Sequence, residues 1–244
     1  MPRRLYANGG SANPQVIYRT LERLLPGPLR RYLLFFEAET ERAVAAFASS
    51  LPANARVLDA GAGECQYASH FRAQYYTAVD LGIGDAAWNY RALDAVADLT
   101  TLPFPDATFD ACVNVVTLEH VREPAAALAE MARTLKPRGR LLLIVPQEWE
   151  VHQAPHDYFR YTRYGVEYLL DRAGFTAMEI RPVGGWFRLT SRRLLNGLQF
   201  FPGPLIVVGA FFFAPLALVL PLFDLLDRDR NFTMGYICTA RRRD

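Results

Sequence analysis

Apolar residues follow two rhythms along this chain. Short unbroken runs, around Val57-Leu58, Tyr75–Val79, Phe109–Val116 and Arg140–Val145, have the length of buried strands and stop at polar residues or glycine. Between them the spacing turns helical. Val16, Ile17, Leu21 and Leu24 predict a short helix from Pro14 to about Leu25, which Pro26-Gly27-Pro28 breaks. Leu33, Leu34, Phe36, Val44 and Phe47 predict a longer one from about Leu29 to Ser50. Pro124 opens a helix carrying Ala126, Leu128, Met131 and Leu135, which Lys136-Pro137-Arg138-Gly139 ends. Thr162 caps another, with Val166, Leu169 and Leu170 inward and Gly174 just past its end. Phe175–Pro182 and Phe232–Ala240 read as two last strands. Strands alternating with helices make an α/β sheet.

One stretch breaks both rhythms. Gly197–Phe223 has no charged residue, and Leu205–Leu220 is almost wholly apolar, with Pro202, Pro204, Pro215 and Pro221 inside or beside it. About 20 apolar residues in a helix would span a bilayer core. The strand after the stretch must return to the sheet of the strand before it, so one simple crossing is excluded. The alternatives are a re-entrant hairpin, a broken helix at the membrane interface, an arm against a second subunit, or core packing. Arg188, Arg192 and Arg193 on one flank and Arg228 and Arg230 on the other suit anionic headgroups, partly offset by Asp224, Asp227 and Asp229.

Composition narrows the function classes. With 244 residues, 51% hydrophobic and 13% aromatic, the chain can bury a sizeable core. A formal charge of +2 does not propose nucleic acid as a partner. The isolated cysteines Cys65, Cys112 and Cys238 fit a reduced, cytoplasmic setting. The N-terminal residues have no apolar run of a secretory signal behind them.

The candidate chemistry starts at Arg56-Val57-Leu58-Asp59-Ala60-Gly61-Ala62-Gly63-Glu64-Cys65, a strand running into two glycines one residue apart. At the carboxyl end of a first parallel strand, open α/β sheets bind nucleotide-like ligands. A dinucleotide fingerprint needs glycine at position 66, where this chain has Gln66. Asp59 and Glu64 would repel a pyrophosphate by about 1 kcal/mol or more per close pair. The same acids suit a ligand with an ammonium and a sulfonium and no phosphate, as in S-adenosylmethionine (SAM).

Val57–Gly63 resembles the first motif of the class I SAM-dependent methyltransferases of the methyltransferase type 11 kind, with Cys65 where that family usually has a third glycine. Further segments match in order: Asp98-Leu99 with Leu102-Pro103-Phe104 and then Phe109-Asp110, the Thr117-Leu118-Glu119-His120 turn, and Leu135-Lys136-Pro137-Arg138-Gly139. The resemblance covers about residues 50–185 and resumes at the last strand. It implies a Rossmann-like, mostly parallel sheet of seven strands in the order 3-2-1-4-5-7-6, strand seven antiparallel. It implies SAM as cofactor, held by Asp59, Ala60, Gly61 and Gly63, by Asp80 and Leu81 at the ribose, by Asp98 and Leu99 at the adenine, and by Asn114 and Val115. Asp80 stands about 20 residues past the glycines, where a ribose carboxylate is expected. The domain layout expected is a helical segment 1–50, a methyltransferase core 51–185, a hydrophobic insert 186–230 and the last strand in 231–244.

A polar, aromatic loop follows the fifth strand, His152-Gln153-Ala154-Pro155-His156-Asp157-Tyr158-Phe159-Arg160-Tyr161-Thr162. It resembles the stretch that closes over the acceptor pocket in a subset of the family. The expected catalytic residues are His120, His156 and Tyr158, with Arg160 and Tyr161 as substrate contacts. A histidine tuned near neutral pH can take a proton from a hydroxyl. The competing reading is an ordered surface loop held by its own Asp157 and Arg160. No metal is expected, because Pro155 opposes the helix that would put His152 and His156 on one face. The expected function is methyl transfer to a small or lipid-linked acceptor, in the cytoplasm or at the inner face of the membrane. The alternatives are a SAM-fold binding protein without turnover and a nicotinamide oxidoreductase.

Overall fold

A computed structural model describes residues 25–84 and 88–244. The helix expected from Pro14 lies, save its last position, outside these residues. The chain folds into two compact units, one of Glu39–Val183 with Thr233–Asp244, the other of the described residues up to Ala38 with Gly184–Phe232.

The larger unit holds a sheet of seven strands: β1 Arg56–Ala60, β2 Tyr75–Asp80, β3 Ala95–Val96, β4 Phe109–Val115, β5 Leu135–Pro146, β6 Phe175–Pro182 and β7 Gly235–Arg242. Their order is β3-β2-β1-β4-β5-β7-β6. The first five are parallel, and β7 runs antiparallel to both β5 and β6. This is the order and the orientation that the family resemblance implies. The central strands read as unbroken apolar runs because both faces are covered: Val57, Leu58, Ala111, Cys112, Val113, Leu143 and Ile144 are fully buried.

Local chemistry explains where the elements stop. The single helix expected over Leu29–Ser50 is two, α1 Gly27–Leu33 and α2 Phe35–Ser49, because Leu34 leaves helical geometry at φ −92°, ψ 58°. Helix α3, Pro124–Thr134, starts on the proline, whose missing N–H no helix needs. Strand β5 begins at Leu135, five residues before the expected Arg140, since buried Leu135 already pairs with Phe109. The Thr162 hydroxyl accepts from Gly165 N–H at 3.1 Å and opens α4, Arg163–Arg172; Gly174 follows at φ +89°. Leu118, Leu128, Met131, Leu135, Leu170 and Phe175 meet in one core cluster.

The excursion between β6 and β7 has its two ends pinned side by side. Val183 N–H donates to the Gly235 carbonyl at 2.9 Å, and Met234 N–H to the Val183 carbonyl at 3.2 Å.

In the smaller unit, α5 spans Trp186–Gly197, a segment whose spacing suggested no element. Helix α6, Leu205–Val219, runs on as a 3-10 turn over Leu220–Leu226. Asp224 accepts from Gly185 and Arg188 N–H, and Asp227 from Trp186 N–H, so these two acids cap the start of α5. Pro221 has no N–H for the Ala217 carbonyl, and the Ser191 hydroxyl donates to it instead at 2.6 Å. Most of the remaining surface of α6 and its 3-10 continuation is exposed: Phe211 on the helix by 74% and Leu225 on the turn by 82%.

Candidate active site

The order of the sheet reverses between β1 and β4, and the chain leaves both strands toward the same crevice. Gly61 and Gly63 follow β1 at φ +94° and +53°. A Cβ on Gly61 would lie 2.3 Å from Thr117 Cγ2, so only glycine lets the two strand ends approach. Thr117 Oγ1 donates to the Gly61 carbonyl at 3.0 Å, and Asn114 Nδ2 to the Ala60 carbonyl at 2.6 Å. Cys65 takes φ +58°, a left-handed conformation that costs a side-chain-bearing residue about 1 kcal/mol. Its glycine-like backbone explains why the motif survives the departure.

Asp80 ends β2 with both oxygens aimed at loop amides, accepting from Gly63 N–H at 3.0 Å and Gly82 N–H at 2.8 Å. Asp98, just past β3, is exposed and accepts from Thr100 N–H and hydroxyl at 2.8 Å, while Leu99 beside it is buried. Val115 and Ala60 are buried, and Leu81 is 41% exposed. The Asn114 amide oxygen is buried with no hydrogen-bond partner among the described residues. Glu64 accepts from Asn89 N–H at 2.9 Å and thus folds the segment after β2 back onto the glycine loop.

Asp59 is buried beneath this loop. The Tyr76 hydroxyl donates to it at 2.5 Å. Loss of hydration pushes its carboxyl up to about 7; the tyrosine opposes the rise and neighbouring Asp80 adds to it. An acid that titrates near 3.8 when unfolded and near 7 when folded stabilises the fold below pH 4, and that stability is lost as pH rises through 7. Asp59→Asn is therefore expected to flatten the pH 4–7 decline in stability of the unliganded protein. Denaturant titrations at pH 4.5, 6 and 8 measure this, and parallel pH profiles for the two proteins would refute it.

The second cluster begins where β4 ends. Val116 sits at φ +51°, rare for a β-branched residue, and the next residues form the 3-10 turn Leu118–His120. His120 Nδ1 lies 2.6 Å from the His156 carbonyl, and His156 Nδ1 lies 3.0 Å from the Tyr158 hydroxyl. The three residues expected to be catalytic are thus adjacent, although His156 reaches His120 through its backbone. Arg122 Nε donates to the Tyr158 hydroxyl at 2.9 Å.

Arg160 and Tyr161 hold the loop. Arg160 donates to both Asp157 oxygens at 2.6 and 2.8 Å, and to the carbonyls of Trp149, Glu150 and Phe159. Tyr161 is buried in the core cluster, and its hydroxyl donates to the Leu118 carbonyl at 2.9 Å. Both side chains are committed to the protein in this arrangement.

Two residues of this cluster were not foreseen as site residues. Glu119 is fully buried, with neither carboxyl oxygen hydrogen-bonded among the described residues. His152 brings its Nε2 to 3.1 Å from His120 Nε2. Burial pushes the Glu119 carboxyl up to about 8 and holds the His120 imidazole below its usual value. Glu119 could be read only as part of a Glu-His pair, and nothing in its spacing from His152 joins the two.

A glycine loop and a strand-terminal carboxylate thus stand at the switch point of a 3-2-1-4-5-7-6 sheet, the fold of SAM-dependent methyltransferases. Residues 58–143 match the family described as methyltransferase domain. Over 105 residues it is 30% identical to a malonyl-[acyl-carrier protein] O-methyltransferase of Erwinia billingiae, covering 40% of this chain and 41% of that protein. Over 50 residues it is 50% identical to a ubiquinone/menaquinone biosynthesis C-methyltransferase of Teredinibacter turnerae, 20% of each chain. The matched stretches thus span less than half of these relatives. Among solved structures, the 1,6-didemethyltoxoflavin-N1-methyltransferase of Burkholderia thailandensis, with bound S-adenosylhomocysteine, superposes with a TM-score of 0.54 at 20% identity, over 98% of this chain and 94% of that one.

Proposed function

We propose that this protein transfers a methyl group from S-adenosylmethionine to a hydroxyl of a small or lipid-linked acceptor. The observation that carries the reading is Asp80, a carboxylate at the end of β2 hydrogen-bonded to the glycine loop itself. The reading gives it the two ribose hydroxyls, which would donate to a charged acceptor. Asp98 and the Leu99 N–H are assigned to the adenine, and Asp59, the loop of Gly61 and Gly63, and the unpartnered Asn114 oxygen to the amino-acid end. An ammonium group suits that oxygen and the acid beneath the loop, whereas a pyrophosphate would meet two carboxylates. The bound cofactor supplies an electrophilic methyl on a sulfonium.

The chain's own contribution is alignment and proton removal. Holding donor and acceptor in line can supply several kcal/mol of the barrier, up to about 7–11 in well-oriented cases. His120 and His156 are the candidate bases and Tyr158 a candidate hydrogen-bonding contact. The three methyltransferases compared are named for oxygen, carbon and nitrogen acceptors, so the hydroxyl is inferred from these bases.

The membrane reading rests on α6. With its 3-10 continuation it forms an apolar segment of 22 residues, Leu205–Leu226, most of whose surface is uncovered. A helix apolar on every face and mostly uncovered fits lipid better than a subunit interface, which would cover one face. The pinned ends of the excursion favour an element lying in one leaflet over a single crossing. Three of the flanking arginines turn inward: Arg192 pairs with Glu37 at 2.9 Å, Arg230 with Asp224 at 2.9 Å, and Arg188 stacks on Phe35 at 3.7 Å. Apolar contact rather than headgroup charge is therefore the main attraction. The proposed location is the cytoplasmic face of a membrane.

Calorimetry with SAM and with NADH, followed by assay of S-adenosylhomocysteine with candidate acceptors, tests the reading. Binding of NADH in place of SAM would make the protein an oxidoreductase; SAM binding without product for any acceptor in a lipid extract would leave a binding module. His156→Ala and Tyr158→Phe are expected to lower turnover tenfold or more with SAM affinity within threefold of the parent. An equal loss of SAM affinity would place the loop on the cofactor.

A further inference from the structure

Two imidazoles and a buried acid converge without a hydrogen bond between the acid and either ring. A carbonyl only accepts, so the contacts of His120 Nδ1 with the His156 carbonyl (2.6 Å) and of His152 Nδ1 with the Glu150 carbonyl (3.1 Å) place a proton on each Nδ1. In neutral rings both Nε2 atoms then carry lone pairs, and these face each other at 3.1 Å. Glu119 Oε1 lies 3.7 Å from His120 Nε2 and 3.9 Å from His152 Nε2, too far for a hydrogen bond to either. Both Glu119 oxygens are buried and without a partner among the described residues, which ordinarily costs about 1–3 kcal/mol. Three electron-pair donors aimed at one point, one of them an orphan, are the arrangement a cation satisfies.

The distances set the size of that cation. The circle through the three donor atoms has a radius of about 2.1 Å, the length of a zinc–nitrogen or zinc–oxygen bond. The secondary contacts also fit. Metal-bound histidines donate their other ring N–H to a carbonyl or carboxylate, as both do here, and Asp157 Oδ2 stands 3.5 Å from His152 Nδ1. Asp157 is itself held by Arg160, which gives the polar loop a reason to be so heavily tied. Calcium and magnesium, which prefer all-oxygen ligand sets, fit two imidazoles poorly.

We propose that Glu119, His120 and His152 form a binding site for one first-row divalent transition-metal ion, zinc by donor set and size, with further coordination positions open to solvent or to an acceptor oxygen. The ion-binding part stands on this geometry alone; the role toward an acceptor rests on the methyl-transfer reading, and with the ion bound His120 is a ligand, which leaves His156 as the candidate base. A hydroxyl bound there would lose its proton near neutral pH, as metal-bound water does.

The test uses the untagged full chain, stripped with chelator, loaded with Zn²⁺ and gel-filtered, with metal content read by mass spectrometry. About one zinc per chain is expected, and Co²⁺ in its place is expected to give visible absorption bands of a nitrogen- and oxygen-ligated site. His152→Ala and Glu119→Gln should each weaken Zn²⁺ at least tenfold in a competition titration, while SAM affinity stays within threefold as the check on folding. Zinc content below one tenth per chain in a parent protein that still binds SAM would overturn the site, as would full zinc retention in folded His152→Ala. Failure to bind SAM with zinc still bound would instead refute the proposed function and leave the metal site standing.

Discussion

Asp80→Ala is expected to weaken SAM binding at least a hundredfold. The ribose hydroxyls would lose two bonds to a charged acceptor, each worth about 1.5–3 kcal/mol, and each 1.4 kcal/mol is a factor of ten. The variant also frees Gly63 and Gly82 N–H, the two donors that Asp80 now ties together, so the glycine loop loses its anchor to β2. Asp80→Asn separates the two losses, because it keeps one acceptor oxygen while removing the charge. It is expected to fall between the parent and the alanine variant. Calorimetry on both proteins, with circular dichroism as the check on folding, measures the effect. An affinity for Asp80→Ala within threefold of the parent would withdraw the ribose assignment.

Replacing residues 197–223 by a short Gly/Ser linker should move the protein from the liposome fraction to the soluble fraction in a flotation gradient. Phe211, Phe212, Leu222 and Leu225 are each more than 60% exposed. Placing those four in hydrocarbon is worth about 6–12 kcal/mol before the cost of immobilisation. Because Arg188, Arg192 and Arg230 are engaged within the protein, flotation should persist on zwitterionic vesicles and change little with salt. A detergent-free dimer that ignores liposomes would assign α6 to a subunit interface. A soluble monomer would defeat both readings.

The sheet was legible because its central strands are buried on both faces and must be apolar throughout, as Val57-Leu58 and Cys112-Val113 are. The crevice proposed for the cofactor could be outlined because each of its parts is a short local segment: the Asp59–Gly63 loop, Asp80 at a strand end, Asp98 after the next. Short-range backbone demands leave marks that a one-dimensional pattern preserves, such as glycine at φ +94°. Helix limits were legible to the extent that one residue decides them. Thr162 and Pro124 announced their helices, whereas the break at Leu34 has no breaker residue to announce it.

The amino-acid order alone determined the element alternation, the glycine loop, the carboxylates that follow it and the length of the apolar segment. Each depends on contacts or geometry within one element or one turn, where neighbours in space are neighbours in sequence. Only the tertiary structure decided where Glu119, His152 and the arginines sit and what they touch. Glu119 and His152 lie 33 positions apart and meet because β4 and β5 are hydrogen-bonded neighbours whose ends lead to the turn and the loop that carry them. Arg192 is an open surface charge in the pattern and a buried partner of Glu37 in the fold. The excursion that carries the apolar segment begins and ends side by side, at Val183 and Gly235. Such pairings across long separations are set by strand register and by which face is buried, and neither is written at any single position.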